Sequence, residues 1–186
     1  QSSTFTSGTS QNTTVSVSLA KDSLATVTAG ASFFGSQVVI PANAVGQRRL
    51  AQAGGCNSIS VQVIDWVNVN IYRHAPSPSD VTIPSDADLK KVAIMKCGSA
   101  SQLADPVQIS LSMPSWPLNP GSYEAKCARY DETSASWSTD GVSIEGAPTT
   151  SSASALCQTT HGSGTYTVAF KDATVAPPPT PLPGKA

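Results

Sequence analysis

The sequence is poor in charged residues. Only 12% of its 186 residues are Asp, Glu, Lys or Arg, and the formal net charge is -1, whereas about 25% charged residues is typical of a soluble domain. Basic residues do not cluster beyond the pairs Arg48-Arg49 and Lys90-Lys91. Because nucleic acids and anionic lipids are bound by concentrated positive charge, we predict no nucleic-acid partner and no direct lipid binding.

Long apolar runs are also missing. No stretch approaches the roughly 20 apolar residues that a membrane-spanning helix needs, and no basic segment followed by an apolar one opens the chain. We therefore expect the sequence to be a processed or excised piece of a larger protein.

Motifs for chemistry on external substrates are missing as well. The sequence has no hydrolase nucleophile elbow, no phosphate-binding glycine loop and no paired-carboxylate motif. It has only 2 histidines and no Cys-x-x-Cys pair, so it lacks the pattern of a structural zinc site. We predict no metal, no cofactor and no external substrate. Asp131-Glu132 are interpreted as solvated side chains before a turn, and His74 as a surface residue.

The alternation of apolar and polar residues is the strongest pattern that the sequence contains, and it is typical of β-strands. The clearest strand is predicted from Ile59 to Tyr72, where Ile or Val recurs at every second position except Asp65. At Asp65 we expect a bulge, a bend or a local polar partner. A strand is predicted to begin near Val15. Further strands are predicted at residues 37–40, 92–96, 107–111, 123–130, 135–138 with an extension to 144, and 165–170.

Turns rich in Pro, Gly and Ser separate these strands, which predicts an all-β fold, an antiparallel β-sandwich with little helix. The best helix candidate is Ala42–Ala53. We predict a flexible Ser/Thr-rich lead at residues 1–14, the sandwich at 15–174, and a stiff proline-rich linker or tail at 175–186.

The cysteine content indicates disulfides. Cys56, Cys97, Cys127 and Cys157 predict two bridges, and their spacing leaves all three connectivities open. The sequon at Asn12 would carry a glycan on a secretory route. Together with the abundance of Ser, Thr, Ala, Gly and Pro, these features predict an extracellular or cell-surface location.

The segment from Cys127 to Phe170 is the most specific part of the sequence. It contains, in order, Cys127, the stretch Trp137-Ser-Thr-Asp-Gly-Val142, Cys157-Gln-Thr-Thr-His161, and then Gly-Ser-Gly-Thr-Tyr166. This order resembles the GPS motif of GAIN domains, which occur in adhesion receptors and polycystin-like surface proteins. Upstream, residues 38–44 and 103–111 resemble two segments of the C-terminal sandwich of the same domain.

The resemblance implies a disulfide pattern. In the family, four motif cysteines pair first to third and second to fourth, and here Val142 and Thr159 stand at the second and fourth positions. The resemblance therefore implies the bridge Cys127–Cys157, and it leaves Cys56 to pair with Cys97. It also implies that Trp137 is a core residue.

The resemblance further implies a self-cleavage reaction. His161 would act as general base, the hydroxyl of Ser163 as nucleophile, and the carbonyl of Gly162 as electrophile, with the peptide held in a strained turn. Two departures favour loss of the reaction: Gly162 stands where the family commonly has Leu, and the following aromatic, Tyr166, comes one position late. Self-cleavage and a GPS-like fold without it both remain open.

The sequence supports three hypotheses about function. The resemblance implies an extracellular structural or interaction domain that contacts neighbouring modules, other surface proteins or a downstream membrane segment. The Ala/Ser/Thr/Pro bias and the run Pro177-Pro-Pro-Thr-Pro181 resemble hydroxyproline-rich glycoproteins, which implies a building block of an extracellular fibre or coat, such as an algal ciliary hair or cell wall. The third hypothesis is a carbohydrate-binding sandwich that uses aromatics such as Tyr72 or Trp116.

Overall fold

The alternating segments form two antiparallel β-sheets, and the predicted all-β class is confirmed. The computed structural model describes residues 2–10, 13–45, 57–100 and 103–173. With strands numbered in chain order, the larger sheet contains β1 (Ser2–Ser10), β2 (Thr13–Ser23), β5 (Ser58–Val67), β6 (Val81–Thr82), β7 (Leu89–Lys96), β8 (Ser99–Ala100), β10 (Tyr123–Asp131), β11 (Ser136–Ser138) and β14 (Ser163–Asp172). The smaller sheet contains β3 (Ala31–Phe33), β4 (Val38–Ile40), β9 (Val107–Ser112), β12 (Val142–Glu145) and β13 (Ser154–Thr159).

The strand order places β14, the last strand of the described residues, inside the larger sheet. That sheet runs β1-β2-β5-β7-β14-β10-β11, with β6 paired to β14 and β8 to β7, and the smaller sheet runs β12-β13-β9-β4-β3. Helical structure among the described residues is limited to α1 (Leu24–Thr28) and a single 3-10 turn at Pro120–Ser122. The hydroxyl of Ser23 accepts a hydrogen bond from the Thr26 amide and caps α1.

The main core lies between the two sheets. Because strand side chains alternate between faces, every second residue of the central strands points inwards. The fully buried residues of this core include Val38, Ile40, Ile59, Val61, Ile94, Ile109, Tyr166 and Phe170. A smaller cluster packs against the opposite face of the larger sheet and includes Trp137, which is 3% exposed. The expectation that Trp137 is a core residue is met in this second cluster.

The long strand predicted from Ile59 to Tyr72 is too long. β5 ends at Val67, and Asn68 follows with a φ of 58°, in the left-handed region that Asn tolerates better than most residues. Asp65 lies directly opposite Lys90 on β7, and their side chains form an ion pair of 3.3 Å. The pairing of β5 is continuous through Asp65. The apolar face is therefore broken by a local ion pair, not by a bulge.

Three other parts of the structure differ from the elements predicted from the sequence. Residues 2–10, within the predicted flexible lead, form β1, which pairs with β2. Residues 154–159, for which no strand is predicted, form β13. The proposed extension from residue 138 to 144 is instead a turn followed by β12, which belongs to the other sheet. Of the helix candidate, residues 42–45 form a turn, and 46–53 lie outside the described residues.

One complete disulfide, Cys127–Cys157, is present in the described part of the chain, where two were predicted. Cys97 is also disulfide-bonded, but its predicted partner Cys56 lies outside the described residues. The pairing of those two cysteines therefore stays a prediction. Asn12 and the proline-rich segment 175–186 lie outside the described residues as well.

Candidate functional site

His161, Gly162 and Ser163 lie where the chain crosses from one sheet to the other. β13 of the smaller sheet ends at Thr159, and β14 of the larger sheet begins at Ser163. Four residues before His161, the bridge Cys127–Cys157 connects β10 of the larger sheet to β13 of the smaller one, with a Cα–Cα distance of 5.8 Å. Both cysteines are buried. The candidate site is thus anchored by the covalent link between the sheets.

The imidazole of His161 packs against Gly141 at the turn before β12. A Cβ atom added at Gly141 would lie 2.6 Å from Nε2 of His161, and Gly141 has a φ of 70°. Only glycine satisfies both conditions without strain, because a side chain would clash with the ring and is disfavoured at this φ. Gly141 therefore determines where the ring of His161 can lie.

The backbone of His161 is held by two hydroxyl groups. Its amide donates to Oγ1 of Thr159 at 3.1 Å, and its carbonyl accepts from the hydroxyl of Tyr166 at 3.4 Å. The same Thr159 hydroxyl donates to the carbonyl of Gly141 at 3.2 Å. We call Gly141, Thr159, His161 and Tyr166 the His161 cluster. Its contacts join the ends of β12, β13 and β14 at one point.

Electrostatics keep His161 neutral. Burial lowers the pKa of its imidazole below the usual 6.5, the positive charge of Arg129 lowers it further, and Asp131 opposes the shift. Burial also raises the pKa of the Tyr166 hydroxyl above 10.0. Both side chains are therefore uncharged at neutral pH. A neutral imidazole is the form that a general base requires.

The contact that self-cleavage requires is not made. Ser163 is exposed, and within the described residues no hydrogen bond joins its hydroxyl to the imidazole of His161, which faces Gly141 instead. The carbonyl of Gly162 accepts a ladder hydrogen bond of 2.7 Å from the Ile94 amide, and Ser163 pairs with Ala93. The Gly162–Ser163 peptide thus begins a regular strand.

The glycines around this peptide are not strained. Neither Gly162 nor Gly164 adopts a positive φ. Gly164 is required for another reason: a Cβ atom there would lie 2.8 Å from the hydroxyl oxygen of Tyr166, whose ring is fully buried. Tyr166, the aromatic that arrives one position late, therefore holds the carbonyl of His161 and packs against Gly164.

A half-open cavity of about 270 Å³ lies beside Ser163. Its walls include an ion pair of 3.1 Å between Lys91 and Glu132. Nε of Arg129 is buried and has no hydrogen-bond partner among the described residues. Asp131 accepts hydrogen bonds from the Thr133 amide and the Ser134 hydroxyl, which lower the pKa of its carboxyl group. Ser163 itself is exposed, so it is not enclosed by these side chains.

The other singled-out residues lie away from this site. His74 is exposed and accepts a hydrogen bond from Nε of Arg73 at 3.1 Å. Tyr72 stacks on Tyr130 with ring centroids 3.9 Å apart, and Trp116 packs against Phe170 at 4.8 Å. Each ring therefore has one side engaged inside the protein.

The described ranges contain neither a cluster of metal ligands nor a membrane-spanning helix. No group of three or more His, Cys, Asp or Glu side chains is arranged to hold a metal ion within residues 2–10, 13–45, 57–100 and 103–173. None of the helices in that same part of the chain has the length and apolar character needed to cross a membrane.

The sequence pattern singles out His161 and Ser163, but it does not reveal which residues contact His161. In the sequence, Thr159 stands out only as the residue at the fourth cysteine position of the motif, and Gly141 only as part of the stretch from Trp137 to Val142. The structure makes Val142 and Thr159 direct partners in the antiparallel pairing of β12 with β13. The two positions where the GPS motif would have its second bridge thus lie opposite each other.

Comparison with models of known protein families and with curated proteins gives no match. The fold and the site define an antiparallel, disulfide-linked all-β protein.

Because the imidazole of His161 contacts Gly141, we expect substitution by Ala to lower stability more at Gly141 than at Gly146. Gly141 and Gly146 have similar φ values of 70° and 72°, but a Cβ atom at Gly146 would meet nothing within 4 Å. Gly146→Ala is expected to lower the free energy of unfolding by about 1 kcal/mol through backbone strain alone. Gly141→Ala is expected to cost roughly 1 kcal/mol more, because the ring of His161 must also move.

Urea denaturation of both variants measures this difference. In a His161→Ala background the clash is removed, so Gly141→Ala is then expected to cost no more than Gly146→Ala. Equal costs for the two glycines in the presence of His161 would show that the ring contact has no energetic weight.

Proposed function

We propose that this chain is an extracellular structural and interaction domain of a larger cell-surface protein, with a GPS-like C-terminal half that does not cut itself. Its partners are neighbouring extracellular modules or other surface proteins. The observation that carries the proposal is the pairing of Val142 with Thr159. In the resemblance these two residues stand at the second and fourth cysteine positions, where a bridge would require them to lie opposite each other, and they do lie opposite each other.

The retained bridge supports the same reading. Cys127 and Cys157 stand at the first and third cysteine positions and form a disulfide between the sheets. A protein secreted through an oxidising compartment can lose one of two bridges without harm only if both partners change together, because a lone cysteine leaves a reactive thiol. Val and Thr at the paired positions fit such a joint loss.

The geometry around Ser163 supports a non-cleaving module. The reaction would need an imidazole within hydrogen-bond reach of the hydroxyl and a peptide under strain. Instead, the imidazole of His161 lies on Gly141, and the carbonyl of Gly162 is engaged in the β-ladder. In this proposal His161 has a structural role, which is to fill the space between β12 and the crossing from β13 to β14.

Restoring the second bridge tests the family assignment. The double variant Val142→Cys/Thr159→Cys is expected to form a disulfide, since directly opposed residues of antiparallel strands have Cα atoms roughly 4.5 to 5.5 Å apart, within disulfide range. It would close a loop of about 17 residues and raise the free energy of unfolding by up to about 3 kcal/mol. Thiol counting and urea denaturation measure the two effects.

Two matched variants serve as controls. Ser143→Cys/Thr159→Cys is one residue out of register, so its added cysteines point to opposite faces and are expected to stay reduced. Val142→Ser/Thr159→Ser removes the native side chains without adding thiols and sets the stability baseline. Two free thiols in the oxidised Val142→Cys/Thr159→Cys protein would contradict the pairing on which the proposal rests.

A second measurement tests the absence of cleavage. Intact-mass spectrometry of the protein secreted from a eukaryotic host is expected to show one uncut chain. A fragment that begins with Ser163 would overturn the non-cleaving form of the proposal. It would leave the GPS-like assignment in place, because the family includes the cutting reaction.

A building block of an extracellular fibre or coat is the second candidate function, and it is compatible with the first. The sequence feature that favours it is the run of prolines between residues 177 and 183. Peptide mapping of the native protein is expected to find hydroxylated, sugar-bearing prolines in this run if the candidate is right. Unmodified prolines would count against it.

A further inference from the structure

In the described part of the chain, the larger sheet ends in a long strand, β1. β1 covers nine residues, Ser2–Ser10, and among the described strands it pairs with β2 alone. The other outer strands are much shorter: β11 and β3 have three residues each and β12 has four. A short edge offers few main-chain groups to another chain, whereas a long one is a template for pairing.

β1 also lacks the features that usually protect an edge strand. Lys, Pro and inward-pointing charges commonly block pairing with a second chain. The strand consists of Ser, Thr, Gly and a single Phe, with no charged residue and no proline. The first charged residues on the neighbouring strand β2 are Lys21 and Asp22, at its far end. Two copies of this edge would therefore approach without repulsion between like charges.

The sequence of the edge is symmetric about Phe5. Residues 3–7 read Ser-Thr-Phe-Thr-Ser, which is the same in both directions. When two such segments pair antiparallel about a twofold axis at Phe5, Ser3 lies opposite Ser7 of the second copy, and Thr4 lies opposite Thr6. Like residues are thereby matched at every position, and hydroxyl residues directly opposite one another stabilise an antiparallel pair.

The regular part of the strand coincides with the symmetric segment. The register of β1 against β2 is continuous from Ser2 to Ser7, and an irregularity falls between Ser7 and Thr9. The register partners of Phe5 and Ser3 are Val17 and Leu19, and Leu19 is 47% exposed. The symmetric segment thus borders an apolar stripe that the described residues leave partly open to solvent.

From these observations we infer that β1 is a self-association edge, at which two copies of this chain pair antiparallel through residues 3–7 about a twofold axis at Phe5. The two larger sheets then join into one continuous sheet across the dimer. The inference does not depend on the GPS-like assignment, since it uses none of the residues of the His161 cluster.

Sedimentation velocity of the full chain, from the micromolar to the millimolar range, tests the association. The weight-average mass is expected to rise with concentration from that of one 19.1 kDa chain towards twice that value. Hydrogen exchange of the amides of residues 3–7 is expected to slow over the same range. A mass of one chain at every concentration overturns the inference.

Two charge variants on the same face test the register. In the twofold arrangement, Ser3→Lys/Ser7→Lys places Lys opposite Lys twice, and the dissociation constant is expected to rise about tenfold or more. Ser3→Lys/Ser7→Glu places Lys opposite Glu twice and is expected to associate at least as well as the unmodified chain. Both variants change the same positions, so an effect on folding alone would act on both.

The response of the two variants distinguishes antiparallel from parallel pairing of the two copies. Parallel pairing places residue 3 opposite residue 3, so both variants would weaken association, and the twofold antiparallel register would be wrong. If neither variant changes the dissociation constant, the association involves another surface and the inference is overturned. Thermal unfolding of each variant confirms that the chain is folded before its mass is interpreted.

Discussion

Replacing Cys127 and Cys157 together by Ala is expected to lower the free energy of unfolding by between about 3 and 4 kcal/mol, because the bridge closes a loop of 30 residues and restricts the unfolded chain. Removing both cysteines leaves no buried free thiol, so the change reports the bridge itself. The bridge also joins the two sheets next to the crossing that carries His161. Urea denaturation measures the loss of stability.

The variant Cys56→Ala/Cys97→Ala is the matched control. If those cysteines are paired as the sequence predicts, their removal costs a similar free energy through a loop of about 41 residues. The NMR titration of the His161 imidazole distinguishes the two variants. It is expected to move towards the usual pKa of 6.5 only when Cys127–Cys157 is lost, because that bridge lies four residues from His161 and its loss should loosen the packing whose burial lowers the pKa. A loss of stability below 1 kcal/mol would contradict the structural role of the bridge.

The parts of the fold that the sequence predicts are those in which large apolar residues alternate. β7, β9 and β14 are predicted because Val, Ile, Leu, Tyr or Phe recurs on one face of each strand and must be buried. β13 escaped for a physical reason. Its buried positions are the small residues Ala155, Cys157 and Thr159, while Leu156 between them is 37% exposed. Because the largest apolar residue of this strand faces solvent and the buried residues are small, the sequence lacks the alternation of large apolar and polar residues that indicates a strand.

β1 could not be predicted from its own residues. Ser and Thr carry no apolar periodicity, so the segment resembles a polar lead. Its strand conformation follows from pairing with β2, whose Val15, Val17 and Leu19 are visible in the sequence. Strand propensity depends on the neighbouring strand, and that neighbour is known only once the topology is known.

The candidate site, like the fold, depends both on residues that are close together in the sequence and on residues that are far apart in it. The spacing of His161 and Ser163 is local and follows directly from the sequence. The direction of the imidazole is set by Gly141, twenty residues earlier on a turn that leads into the smaller sheet. The spacing of residues along the sequence does not show which residue of the fold leaves space for the imidazole ring of His161. The expected contact between His161 and Ser163 was therefore inferred from the motif and not found in the structure.

Tyr166→Ala is expected to lower the free energy of unfolding by roughly 3 to 5 kcal/mol, the usual range for deleting a fully buried aromatic ring. Tyr166 is 0% exposed in the main core, and its hydroxyl supports the carbonyl of His161 at 3.4 Å. The variant thus leaves a cavity beneath the crossing and frees the backbone of His161. Urea denaturation measures the first effect, and amide hydrogen exchange of residues 160–163 measures the second.

Tyr166→Phe separates the ring from the hydroxyl. It keeps the packing in the core and removes only the hydrogen bond, so it is expected to cost about 1 kcal/mol. Amide exchange at the crossing is nevertheless expected to accelerate, because the carbonyl of His161 loses its donor while the Thr159 contact to its amide persists. If Tyr166→Phe is as destabilising as Tyr166→Ala, the hydroxyl carries the stability. If exchange at residues 160–163 is unchanged, Tyr166 is a core residue with no part in holding His161.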